Sequence, residues 1–160
     1  MLTEDHRKMQ TLLKGIDGRW GEHKRADPKY LEYQHFLTAL AVATRDREVV
    51  ESSIAAELDP SDETKIERYR ITLLTDRTWV TAVYPGDPLR HNVRILPRSH
   101  VESVSVITDV PEEVYRTDEV YEFSVVIAGE RMNFDSDSAT HKGGNLTNLL
   151  SEALSDLAKR

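Results

Sequence analysis

Hydrophobic positions along the chain follow a helical period at both ends and a period of two between. Met9, Leu12, Leu13, Ile16 and Trp20 recur at three- and four-residue intervals, which stacks them into one stripe on a helix. The spacing predicts a helix over residues 3 to about 20, with Thr3 or Asp5 as its N-cap. Gly15, Gly18 and Gly21 each cost about 1 kcal/mol against alanine in a helix interior, so the helix is expected to fray after the first of them. Asp27-Pro28 reads as a cap followed by proline at the first helical position. Tyr30, Tyr33, Leu37, Leu40, Ala41 and Thr44 then share a face, giving a second helix over 28–44. Residues 49–58 fit a half-buried strand, with Val50, Ile54, Ala56 and Leu58 alternating with polar residues, or a helix capped by Asp46. The strand is the preferred reading.

Beyond the loop Asp59-Pro60-Ser61-Asp62 the period becomes two. Tyr69, Ile71 and Leu73 form one strand, Thr75-Asp76-Arg77 turns the chain, and residues 79–84 return, ended by Pro85-Gly86-Asp87-Pro88. Val93 with Ile95 and Val104 with Val106 mark two more strands. Tyr121, Phe123, Val125 and Ile127 give the cleanest alternation, followed by a two-residue turn at Gly129-Glu130 and a partner strand carrying Met132 and Phe134. Leu146, Leu149, Leu150, Ala153, Leu154 and Leu157 then lie on one face of a closing helix, capped by Asn145 and ended by Lys159 and Arg160. Short connections imply antiparallel pairing. The fold class is therefore α+β: two N-terminal helices, a curved antiparallel sheet, and a closing C-terminal helix. The chain reads as one domain over 1–160, with a helical element at 1–46 and the sheet plus helix at 47–160.

Two phrases in the second part carry a resemblance. Ile71-Thr72-Leu73-Leu74-Thr75-Asp76-Arg77 and Leu96-Pro97-Arg98-Ser99-His100-Val101-Glu102-Ser103-Val104, with the leucine-rich final helix, make residues 65–160 similar to a bacterial PH-like domain. The resemblance implies an open barrel of paired strands plugged at one end by the C-terminal helix. Some relatives bind phosphoinositides through a basic loop between early strands; the loop here, Asp59-Pro60-Ser61-Asp62-Glu63, is acidic, which speaks against lipid. A cystatin-like or NTF2-like cone shares the order of helices before sheet, but usually ends on a strand.

Composition narrows the chemistry. The chain has 160 residues, no cysteine and a formal net charge of −7, so disulfides, thiolate nucleophiles and cysteine-ligated zinc are out. The acidic balance disfavours nucleic acid and anionic membrane. The acidic start, Met1-Leu2-Thr3-Glu4-Asp5-His6, does not resemble a signal peptide, and the longest apolar run is Leu40-Ala41-Val42-Ala43, so the expected location is cytoplasmic with no membrane span. No histidine pair has the spacing of a zinc helix, and no serine sits in a nucleophile elbow. Asp135-Ser136-Asp137-Ser138 opens like a calcium loop but lacks the later glycine and glutamate. No metal, cofactor or catalytic residue is expected.

Three features are left as candidate sites. His141-Lys142-Gly143-Gly144-Asn145 leads two glycines into a helix N-terminus behind two potential cations, an arrangement suited to an anion. Arg90, Arg94 and Arg98 have equal parity, so one strand would turn all three to one face as a basic patch or a solvated surface. Met9, Leu12, Leu13, Ile16 and Trp20 form a broad stripe on a glycine-weakened helix that needs a surface to lean on. That surface is either its own domain or a second copy across a twofold axis. The expected function is a non-enzymatic protein-interaction or scaffold module, working as a homodimer or with another protein. A small enzyme or ligand-binding protein using a pocket at the barrel or cone mouth is the alternative.

Overall fold

A computed structural model describes residues 3–21, 23–45, 47–86, 92–108, 121–135, 141–142 and 146–160. Thr3 opens α1 (Glu4–Ile16). Its hydroxyl accepts the His6 amide at 3.2 Å, while His6 Nδ1 accepts the Thr3 amide at 3.3 Å. Histidine thus completes a capping box in the place where glutamate or glutamine is usual. His6 Nε2 meets the Thr38 hydroxyl at 2.6 Å, tying α1 to α2 (Tyr30–Ala43). α1 stops at Ile16, short of Trp20, as the glycine-weakened segment implies. α2 starts two residues later than Pro28, because Asp27 caps the Lys29 amide at 2.8 Å and not the first turn of the helix itself.

The remaining chain builds two antiparallel sheets. β1 (Glu51–Asp59), β2 (Asp62–Leu74), β3 (Thr78–Tyr84) and β4 (Val93–Pro97) form a meander. The two-residue β8 (His141–Lys142) adds to β1, giving the order β4-β3-β2-β1-β8. β5 (Val101–Thr108), β6 (Tyr121–Ile127) and β7 (Glu130–Asp135) form a second, three-stranded meander. α3 (Leu146–Ala158) closes the described chain. The architecture is α+β with open, curved sheets, and of residues 49–58, 51 onward resolve as strand. Among the described residues no helix is long and apolar enough to cross a membrane.

The larger sheet is covered on both faces. α1, Trp20 and α2 bury Ile54, Ile71, Leu73, Val80, Ala82 and Tyr84 on one side. The smaller sheet and α3 bury Leu74, Trp79 and Leu96 on the other. This explains why Ile71-Thr72-Leu73-Leu74 is buried at every position: alternate side chains enter opposite cores. The α1 stripe, expected to lean on its own domain or on a second copy, packs on the chain's own core. Met9, Leu13 and Trp20 are buried, and Leu12 and Ile16 pack partly buried against them. The physical reason is Trp20, which follows the helix and lies among Tyr33, Phe36, Tyr69 and Tyr84 with ring centroids 4.9–6.2 Å away.

Three local expectations shift. The turn between β6 and β7 is Ala128-Gly129, one residue earlier than Gly129-Glu130, with φ of 49° and 80°. Both central residues are left-handed, as a type I′ hairpin requires, so glycine takes the second position. On α3, Leu149 and Ala153 are buried and Leu146, Leu150 and Leu157 are partly buried, but Leu154 is 46% exposed. Asp156 takes the inward position seven residues after Leu149. Finally, Pro97 ends β4 and residues 98–100 form a 3-10 turn, so Arg98 leaves the strand that carries Arg94.

Candidate functional site

The inner face of the larger sheet is divided between an apolar row and a polar one. Leu74, Trp79 and Leu96 stand side by side on neighbouring strands and meet the second core. One pleat along, the cross-strand row is Ser53, Thr72, Thr81 and Arg94. A cleft of about 380 Å³ opens between Thr72, Thr81 and Arg94 of this row and β7. Arg94 spans the cleft as an ion pair with Glu130, joining the two sheets. Met132 and Phe134 contribute an apolar wall from β7.

A second surface is the edge of the smaller sheet. Among the described residues β5 pairs with β6 alone, and no described strand covers its other edge. Val106 and Ile107 on this strand are 47% and 60% exposed. α3 packs against β5, and Arg160 reaches the Val101 carbonyl at 3.5 Å.

The buried ionisable groups are tied into internal networks. Asp156 accepts Trp79 Nε1 at 3.2 Å and Arg98 Nε at 2.9 Å. Arg98 also bonds Glu152 and donates to the Thr75 carbonyl at 3.1 Å. Burial pulls the Arg98 pKa down, but its bonds to Asp156 and Glu152 outweigh that and hold it above the ordinary value. Asp17, buried after α1, is clamped by Arg19 at 2.7 Å.

One arrangement has the outline of a catalytic relay. Asp27 Oδ2 lies 2.9 Å from His23 Nδ1, and His23 Nε2 lies 2.8 Å from the Tyr84 hydroxyl. With Asp27 ionised, Nδ1–H donates to it and Nε2 accepts from the phenol. The bond to His23, followed by the Lys29 amide, lowers the Asp27 pKa. Burial raises that of Tyr84, reinforced by the negative charge of Glu32. A nucleophile needs the opposite shift and access to substrate. Tyr84 is buried among aromatic rings, so the relay fastens residues 23–27 to β3.

The anticipated basic patch does not assemble on the described residues. Arg90 lies outside them, Arg94 pairs with Glu130 and Arg98 turns inward beneath α3. Of the anticipated anion loop, His141 and Lys142 form β8 beside Ala55 and Ile54, and Gly143, Gly144 and Asn145 lie outside the described residues, as do 136–138 of the calcium-like stretch. The cleft was missed in the sequence, although Thr72 is a polar residue within an apolar run and could have marked it. Nothing local could have joined it to Glu130 or Met132. No family model, no curated protein and no solved structure matches the chain.

Proposed function

We propose that the chain is a non-enzymatic protein-interaction module that self-associates through the free edge of β5 and serves as a scaffold. The observation that carries this reading is that edge itself. Its residues, Val101-Glu102-Ser103-Val104-Ser105-Val106-Ile107-Thr108, include one charge and no proline, so the usual devices that blunt an edge are sparse. Antiparallel pairing of two β5 strands across a twofold axis joins two three-stranded sheets and covers the exposed Val106 and Ile107. The PH-like likeness belongs to the same reading; a meander of four strands, a meander of three and a closing helix support it. So does a cytoplasmic location, on the cysteine-free sequence.

Light scattering tests the proposal. The wild-type chain at tens of micromolar is expected at twice the 18.3 kDa of one copy. Val106→Lys and Ser105→Pro, which charge the edge or remove a donor from it, are expected to give the single-copy mass with an unchanged circular dichroism spectrum. A monomeric wild type, or a dimer that survives both substitutions, overturns the reading.

A further inference from the structure

We infer that the cleft between the two sheets binds a small organic anion, a carboxylate carrying an apolar group. This goes beyond self-association at β5 and uses a different surface. The floor of the cleft holds the Thr72 side chain, from a residue only 8% exposed. Among the described residues its hydroxyl has no hydrogen-bond partner, although Thr81 stands beside it on β3. A buried hydroxyl left unpaired is costly, and nearly all such groups in folded proteins meet a partner. Thr72 is among the residues that line the cleft.

The charge around it selects the sign of the ligand. Arg70, Arg94 and Arg131 line the cleft against a single carboxylate, Glu130. Arg94 is held by Glu130 and Arg70 by Glu57, while Arg131, one residue out of step with the inward Met132, lies at the rim on the other face of β7. The lining is therefore net positive on a chain whose overall charge is −7. Met132, Phe134 and Val83 supply an apolar wall beside these donors. A few directed polar groups against apolar surface is the usual make-up of a small-molecule site, and 380 Å³ falls in the lower part of the size range for such sites. A carboxylate is the anion that a guanidinium grips with two parallel bonds while leaving the rest of the molecule apolar. In the proposed complex the Thr72 and Thr81 hydroxyls complete its shell.

Benzoate is the probe, followed by two-dimensional amide NMR on the full chain. Inorganic phosphate carries charge without a ring, and benzyl alcohol a ring without charge. Benzoate is expected to shift the amides of Thr72, Thr81 and Met132 saturably below about 10 mM, with the other two probes several-fold weaker. Thr72→Val keeps the side-chain shape and is expected to weaken benzoate roughly fivefold, while raising the melting temperature of the unliganded protein. Arg70→Gln, on the exposed rim and on the same face of β2 as Thr72, should weaken binding without altering the fold, and so serves if the valine variant packs differently. Absence of saturable shifts in the cleft, equal responses to phosphate, or unchanged benzoate affinity in both variants overturns the inference. Light scattering reads self-association separately, so either proposal can fail alone.

Discussion

Asp156 shows how a single residue joins distant parts of this fold. It stands on the inward face of a leucine-rich helix, where a carboxylate is costly unless paired. Its partners lie far away in sequence: Arg98 is 58 residues off and Trp79 is 77. An acidic residue in line with Leu149 and Ala153 was legible as an exception to the apolar stripe, but the residues that neutralise it were not. The same network explains why equal parity misled for Arg94 and Arg98, since the chain turns at Pro97 to deliver the second guanidinium to α3. Asp156→Ala strands that guanidinium, and its expected cost is about 3–5 kcal/mol. The double change Arg98→Met, Asp156→Leu is expected to cost less than either Arg98→Ala or Asp156→Ala in urea denaturation. Costs that simply add would show the pair is not coupled.

At the scale of elements, the periodicities placed the three α-helices and all but the two-residue β8 among the strands, with residues 49–58 open to a helical reading as well. Ends and turns were less legible, since they depend on single backbone conformations. Ala128 occupies a left-handed position where an L side chain with no compensating hydrogen bond is strained. Asn-Gly is the favoured pair for this turn, so Ala128→Asn is expected to stabilise the protein by about 0.5–1 kcal/mol in chemical denaturation. Loss of stability would contradict the type I′ assignment. On α3 the six-residue apolar stripe overstated the buried face, because Asp156 takes an inward position and Leu154 is presented outward. Leu149→Ala is expected to cost about 2–5 kcal/mol and Leu154→Ala well under 1 kcal/mol, read as denaturation midpoints. Equal costs would mean that α3 is rotated from the orientation described.

At the scale of the molecule, sequence periodicity could not show that one sheet serves two cores. It could show a stripe on α1 in need of cover, but the cover was equally available from a second copy or from α2 and the sheet. The fold uses α2 and the sheet, which leaves β5 as the edge through which copies are proposed to meet. Each copy carries a net charge of −7, so the two repel at long range. Pairing through backbone bonds and apolar side chains is therefore expected to tighten as salt screens that repulsion. The most direct test is amide hydrogen exchange followed by NMR across a dilution series. The account predicts that the β5 amides not bonded to β6 exchange slowly when the protein is concentrated and lose protection on dilution, while β7 amides do not change. Exchange at β5 that is fast and independent of concentration would contradict it.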